Sequence, residues 1–357
     1  MDGVPGVVTG PIIALDAMGG DEAPGAIVAG AVLAAKDLGI RVALVGKPDV
    51  IQAELAKQTA RSTAITVVPA SDVIGMDEHP AQAARHKKDS SIVVGLRLVK
   101  KGEAAAFVSA GNTGAVMAAS IMYVGRIRGI ERPTLVALLP LSGKLTALLD
   151  VGANADCKPE YLLQWAQLAS AYIERVWKRP NPRVGLLNIG EEEEKGSTLA
   201  QEAYALLKDS GVNFIGNVEG RDVPYGKADI IVTDGFTGNV VVKTMEGMAE
   251  YVMGEIRSAI KSRPWYMAAG AALLPAFGQV RKKTDYREYG AGPLLGVNGL
   301  VFIGHGRSDA LAIKSALKVA REAAQSGMLE AMREAAPARD AREHAEAPDE
   351  EALEPSA

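Results

Sequence analysis

The 357-residue sequence holds a single cysteine, Cys157, and four histidines, His79, His86, His305 and His344. One thiol excludes internal disulfides and every multi-cysteine zinc motif, and it fits a reducing cytoplasm. The histidines are too scattered for a metal-ligand motif. Long apolar runs are missing as well. The longest that lacks charge and nearly all other polar side chains, Pro264 to Val280, covers 17 residues and includes Pro275 and two glycines. Crossing a bilayer takes about 20 apolar residues, so no transmembrane helix is expected. Asp2 stands where a secretory leader would carry Lys or Arg, and residues 1–11 are expected to form a loose lead-in. Excess positive charge is also absent. A formal net charge of −4 argues against a nucleic-acid partner.

What is present is an ordinary globular composition, 48% hydrophobic and 23% charged, able to bury a sizeable core. Short β-branched runs recur at Ile12–Leu15, Val42–Val45, Ile65–Val68, Ala105–Val108, Leu135–Leu139, Thr146–Leu149, Val184–Asn188, Asn213–Ile215, Ile230–Thr233 and Leu300–Ile303. Most are nearly continuous in apolar residues, the pattern of strands buried on both faces of a parallel sheet. Between them lie segments with helical spacing: Ala26–Leu38, Pro159–Val176, Leu199–Asp209, Val240–Ile260 and Ala310–Ser326. This alternation predicts a doubly wound α/β fold with a mostly parallel sheet over residues 12–330. Residues 331–357 are expected to form an acidic disordered tail. From Ala336 onward it carries seven acidic residues against two arginines, which leaves the rest of the chain close to neutral.

Ligands of open α/β sheets bind at the carboxyl ends of the strands. Here those ends carry six Gly/Asn/Ser/Asp loops: Asp16–Asp21, Ser109–Gly114, Asp150–Asn154, Asn188–Thr198, Asp234–Asn239 and Gly304–Asp309. Glycine lets backbone N–H groups approach an anion, and Ser, Thr and Asn add neutral donors. Each loop alone reads as a βα turn; six together point to a phosphate or carboxylate site. The candidate substrate-binding residues are Gly19, Gly20, Asp21, Ser109, Gly111, Asn112, Thr113, Gly114, Asn154, Ser197, Asp234, Thr237 and Gly238. No G-x-G-x-x-G, G-x-S-x-G or H-E-x-x-H is present. The segment Gly190–Thr198 has Lys195 before, not after, its second glycine, and its four glutamates would repel a triphosphate. It is therefore not a nucleotide loop, but Lys195 and Ser197 remain possible anion donors.

Other groups carry two readings. Asp16, Asp21, Asp150 and Asp234 could gather around Mg²⁺, though capping of the following helices is favoured. Cys157 could be an activated thiol or simply a small buried residue. His305 lies in a glycine loop and is either functional or structural. His79 and His86 flank Arg85, Lys87 and Lys88, a solvated basic face or a phosphate clamp.

Six segments resemble the acyl-carrier-protein–phosphate acyltransferases of bacterial phospholipid synthesis: VSAGNTGAVMAA, LDVGANADCKPEYL, NIGEEEEKGST, FIGNVEGRDV, DGFTGNVVVKTMEG and GPLLGVNGLVFIGHG. The resemblance runs from about Ile12 to Ala324. It implies a fold similar to isopropylmalate and isocitrate dehydrogenases and to phosphotransacetylase. It also implies transfer of a fatty acyl group from acyl carrier protein to inorganic phosphate, by a cytoplasmic homodimer peripheral to the inner face of the membrane, without nicotinamide or metal. The loop chemistry agrees, since phosphate is already anionic and needs no nucleophilic relay, only orientation and oxyanion stabilisation. Asn112, Thr113, Asn154, Asn239 and Lys195 are then expected to orient phosphate and thioester, with His305 or Lys243 polarising the carbonyl. Lys195, Asn239, His305 and Lys243 are the catalytic candidates.

The run Pro264–Val280 is flanked by Arg257, Lys261 and Arg263 and by Arg281, Lys282 and Lys283. Trp265, Leu273, Leu274 and Phe277 make residues 256–290 a candidate membrane-contacting excursion, with a dimer-interface hairpin as the equal alternative. Two rival functions remain: an isopropylmalate-type dehydrogenase using NAD and Mg²⁺, and a membrane-recruited scaffold for the carrier protein.

Overall fold

The computed structural model describes residues 10–58, 63–141, 144–284 and 289–337. Its strands are β1 (Ile12–Asp16), β2 (Arg41–Gly46), β3 (Ile65–Pro69), β4 (Ala106–Ser109), β5 (Thr134–Leu141), β6 (Lys144–Leu149), β7 (Val184–Asn188), β8 (Phe214–Glu219), β9 (Ile230–Val232), β10 (Ala291–Leu295) and β11 (Leu300–Gly304). The helices are α1 (Gly25–Leu38), α2 (Pro48–Ala56), α3 (Pro80–His86), α4 (Ser91–Lys100), α5 (Thr113–Ala119), α6 (Pro159–Val176), α7 (Thr198–Lys208), α8 (Gly235–Lys261), α9 (Pro264–Thr284), α10 (Ala310–Ser326) and α11 (Met328–Ala335). A π-helical turn, Ser120–Val124, extends α5.

All the strands join one sheet in the order β3-β2-β1-β4-β11-β10-β5-β6-β9-β7-β8. Two parallel blocks, β3-β2-β1-β4-β11 and β6-β9-β7-β8, are joined through β10 and β5, whose pairings are antiparallel. The α/β doubly wound, mostly parallel prediction holds. The side-chain alternation of β1 shows why the first block is covered twice. Ile13 and Leu15 face α1 and α10, where Ile27, Val28, Ile313 and Leu317 are buried. Ala14 faces the opposite layer, against Ile92, Leu96 and Ala115 of α4 and α5. The first core continues through the second block to Trp165, Tyr172, Ala203 and Leu207 of α6 and α7. On that block's other face only a small cluster forms, closed by Val241, Val242 and Met245 of α8.

Several elements differ from the sequence expectation. Strand β10 was not anticipated, because Gly292 and Pro293 speak against a central strand. Pro293 falls where β10, five residues long, ends its pairing with β11 and turns to pair with β5, and a Cβ on Gly292 would overlap the Val136 carbonyl. Strand β8 runs beyond Ile215 through Gly216, which takes a φ of +89°, with a register shift against β7. Helix α8 begins five residues before Val240, because Asp234 caps it. The fold also continues past the boundary expected at residue 330: α11 buries Met328, Ala331 and Met332. The rest of the acidic tail, residues 338–357, and nearly all of the lead-in lie outside the described residues.

The second block carries its own staple. Asp229, which enters β9, accepts from Arg179 Nη1 at 2.7 Å, from Arg183 Nε at 3.1 Å and from the Arg183 amide at 2.9 Å. Burial acts to raise its pKa, but the hydrogen bonds and charge of Arg183, with Arg179, outweigh it and hold the carboxyl below its ordinary value. A depressed carboxyl contributes stability above its unfolded pKa and loses it as pH falls through the folded one. Asp229→Ala should therefore cost about 2 kcal/mol at neutral pH. The gap to the wild type in a denaturant titration should shrink as the pH drops below about 4.

Candidate functional site

The strand ends do not converge on one pocket. They border two cavities, of about 400 Å³ and about 370 Å³. The first lies between the two blocks. One side is lined by Asp21, Gly111, Thr113 and Gly304–Gly306 from the first block, the other by Val151, Asn239, Val242, Lys243 and Glu246. Its wall is the apolar stretch Leu135–Leu139 of β5. The second cavity lies at the ends of β7 and β9, bordered by Asn188, Ile189, Gly196, Ser197, Leu199, Asp234, Thr237 and Val241.

Helix α8 divides them, and its periodicity explains the division. At 100° per residue, Thr237 and Val241 share one face, whereas Asn239, Val242, Lys243 and Glu246 share the opposite one. The expected loop Asp234–Asn239 is instead the start of this helix. Asp234 accepts from the Thr237 amide at 2.8 Å and from Thr237 Oγ1 at 2.7 Å, so both side chains are engaged in the cap. Gly238 is buried against Asp150, and a Cβ there would overlap the Asp150 carbonyl.

Of the catalytic candidates, Asn239, Lys243 and His305 therefore come together in the first cavity, and Lys195 does not join them. Lys195 is exposed and packs over Gly190, beside the second cavity. Ser197 caps α7 by accepting from the Ala200 amide.

Two expected substrate donors are used within the fold. Asn112 Nδ2 donates to the carbonyls of Gly75, Met76 and Glu78, each at 3.2 Å, while its Oδ1 accepts from the Ala115 amide. An amide has two N–H groups, so none is left for a substrate. Asn154 Nδ2 donates to the Pro133 carbonyl at 2.8 Å and to Asp150 Oδ2 at 2.9 Å. Ser109 likewise donates to Asp16 at 2.7 Å and accepts from the Gly111 amide. Gly19 packs so closely on Asp16 and Gly111 that no side chain fits, and Gly114 abuts Pro80. Gly20 adopts a φ of +115°. From these loops it is Asp21, Gly111 and Thr113 that line the first cavity.

The buried aspartates organise turns. Asp16 is raised above its ordinary pKa by burial, which outweighs bonds from Ser91, Ser109 and the Met18 and Gly19 amides. Asp150 is raised for the same reason, although it accepts from Asn154, Ala153 and Leu135. Asp234 caps α8. Among the described residues no three His, Cys, Asp or Glu side chains gather in a metal-ligand arrangement. Burial pushes the Cys157 thiol up to about 11, so it is protonated at neutral pH, and it donates weakly to the Asn154 carbonyl.

His305 is positioned from both blocks. Its Nδ1 accepts from the Arg307 amide at 3.3 Å, which leaves the proton of the neutral ring on Nε2. Nε2 lies 3.8 Å from Glu246 Oε2 across the cavity mouth, and Arg307 reaches Glu250 at 3.4 Å one helical turn further on. Glu246 escaped the sequence reading. Its signal was a spacing of three from Lys243, which has meaning only once α8 is known to pass the site. Met76 and Tyr289 also line the cavity, with no motif to announce them.

With this geometry in hand, comparison with known proteins is informative. Residues 12–331 match the model of a family described as fatty acid synthesis protein. The chain is 51% identical over 328 residues to a phosphate acyltransferase of Desulfitobacterium hafniense, covering 91% of this chain and 97% of that one. It is 52% identical over 328 residues to the phosphate acyltransferase of Heliobacterium modesticaldum, with the same coverage. Among solved structures, a phosphotransacetylase from Streptococcus pyogenes superposes with a TM-score of 0.58 at 15% identity, over 89% of this chain and 94% of that one. A branched-chain phosphotransacylase from Enterococcus faecalis gives 0.56 at 15% identity, over 88% and 99%. A 4-hydroxythreonine-4-phosphate dehydrogenase from Klebsiella pneumoniae gives 0.54 at 13% identity, over 88% and 98%, so these three share its fold. The extent and identity of the matches to the acyltransferases establish that this chain belongs to the phosphate acyltransferase family.

Proposed function

We propose that this acyltransferase moves a fatty acyl group from the thioester of acyl carrier protein to inorganic phosphate, by direct attack within the first cavity. The observation that carries the reading is the pairing of Asn239, Lys243 and His305 with the apolar β5 wall in one space. Phosphate binds against the Lys243 ammonium and the Asn239 amide. The thioester carbonyl is polarised by His305 Nε2–H, and the acyl chain lies along Leu135–Leu139. An oxygen of HPO₄²⁻ forms the new C–O bond, the C–S bond breaks, and the phosphate's proton passes to the departing sulfur. The products are acyl phosphate and a free thiol, with no covalent enzyme intermediate. The test is conversion of acyl-carrier thioester and phosphate by the pure protein, with acyl phosphate trapped by hydroxylamine. Release of thiol without acyl phosphate would refute it.

We also propose that the protein works in the cytoplasm as a homodimer resting on the inner membrane surface. Supporting the dimer, α8 leaves Phe236, Val240, Met248 and Tyr251 exposed in a stripe along its length. Supporting the membrane, α9 exposes Trp265, Leu273 and Leu274, 52–66% accessible, while Phe277 is half-buried. The Arg263 guanidinium lies 5.4 Å from the Trp265 ring, a cation beside an aromatic as an anionic interface favours. No described helix is long and apolar enough to cross a membrane. Leu273→Glu with Leu274→Glu should reduce flotation with anionic vesicles at least fivefold, at about 0.8 kcal/mol per methylene withdrawn. Undiminished flotation would leave these residues to the dimer alone.

A further inference from the structure

We propose that the basic face formed by the ends of α3 and α4 and the turn after α5 is the docking surface for the acidic carrier protein. This inference rests on the carrier-dependent transfer proposed above. Arg85 and Lys88 stand at the C-terminal end of α3, Arg97 and Lys100 in the last turn of α4, and Arg126 and Arg128 just beyond the π-helical turn. Contacts bring the ends of α3 and α4 and the π-helical turn together, while Arg126 donates to the Glu131 carbonyl. Arg97 Nη1 donates to the Lys88 carbonyl at 3.1 Å and its guanidinium lies 5.0 Å from the Tyr123 ring. The Lys100 ammonium donates to the Val124 carbonyl at 3.1 Å, and Tyr123 donates to the Ala84 carbonyl.

None of these six cations forms an ion pair with a described carboxylate. The carboxylates nearby are engaged elsewhere: Glu78 with Lys87 at 2.7 Å, Glu103 with Lys101 at 3.8 Å, Asp89 with Ser71, and Glu131 with Gln164. The face therefore carries an excess of positive charge in a chain whose net charge is negative, offset in part by Asp89, whose carboxyl is held below its ordinary value by Ser71 and, to a lesser extent, by the charge of Arg97. Helix C-termini beneath the cations favour their retention and keep the heads in place.

The same face begins at the rim of the first cavity. Gly114 of α5 abuts Pro80, the first residue of α3, and Asn112 binds the carbonyls of the segment that carries Met76. Met76 and Thr113 line the cavity. Seven residues of α3 cover about 10 Å, so the exposed Arg85 and Lys88 sit roughly that far from the opening. A carrier bound there would direct its prosthetic arm inward. A lipid surface fits less well, since Met122 is the only large apolar side chain exposed among the described residues of α3, α4 and the π turn.

The test compares kcat/KM for an acyl-carrier thioester and for a small acyl-pantetheine thioester, each with phosphate. Arg85→Glu with Lys88→Glu, and separately Arg126→Glu with Arg128→Glu, should lower the carrier value at least tenfold and change the small-thioester value less than twofold. In the wild type, raising salt from about 0.05 to about 0.5 M should lower the carrier value alone. Equal losses with both substrates, no loss with either, or a flat salt curve for the carrier would overturn the proposal. So would reduced binding to anionic vesicles with carrier kinetics intact. Wild-type protein inactive on both thioesters would instead refute the proposed reaction itself.

Discussion

Asn239→Ala should lower kcat/KM for acyl transfer about 100-fold while leaving the melting temperature within a degree or two. Asn239 is exposed on α8 and faces the first cavity, with its side chain beside Gly152. Asn239 orients the attacking phosphate, and losing a group that fixes the near-attack geometry costs a factor of about 10². Lys243→Ala should raise the KM for phosphate more than it lowers kcat, because a cation that holds a ground-state anion contributes mainly to binding. Lys195→Ala decides whether the second cavity shares in the reaction. A loss as large as that of Asn239→Ala would join the two cavities in one site, and near-normal turnover would separate them.

The second large effect concerns one substitution made twice on one helix. Gly238→Ala should destabilise the protein by at least about 3 kcal/mol, whereas Gly247→Ala should stabilise it by about 0.5–1 kcal/mol. Both glycines lie within α8, and alanine favours the helix at each. A Cβ at Gly247 meets open space. At Gly238 it would overlap the Asp150 carbonyl and crowd Thr233 Cγ2 at 3.1 Å, pushing α8 off the strand end it caps. Because α8 carries Asn239 and Lys243 on its other side, the same displacement should reduce activity in whatever protein still folds. Thermal unfolding of the two variants beside the wild type checks the opposite signs.

The sequence revealed the architecture well where strands are continuous and apolar. Ile12–Leu15, Val42–Val45 and Val184–Asn188 all fall within observed strands, and α6 and α10 match at both ends. Strand β10 stayed hidden because Gly292 makes room for a carbonyl on a neighbouring strand, a long-range demand that no local pattern carries. The site was legible in its residue types but not in its partition. Read as one loop, Asp234–Asn239 would deliver Thr237 and Asn239 to the same place. Wound into a helix, it sends them to opposite cavities. Asn112 and Asn154 look like substrate donors in the sequence, yet the carbonyls they satisfy come from residues 21–37 positions away. Glu246 was concealed for a similar reason: its link to His305 spans 59 positions and exists only because the two sheet blocks face each other.

The central claim is that phosphate attacks the thioester directly, on a site built of donors and cations and lacking an activated nucleophile. The sharpest measurement is exchange of label between free carrier protein and its acyl thioester in the complete absence of phosphate. Direct attack predicts no exchange above the uncatalysed background, with exchange appearing only when phosphate is added. Exchange at a rate near kcat without phosphate would require a covalent acyl-enzyme and would contradict the mechanism.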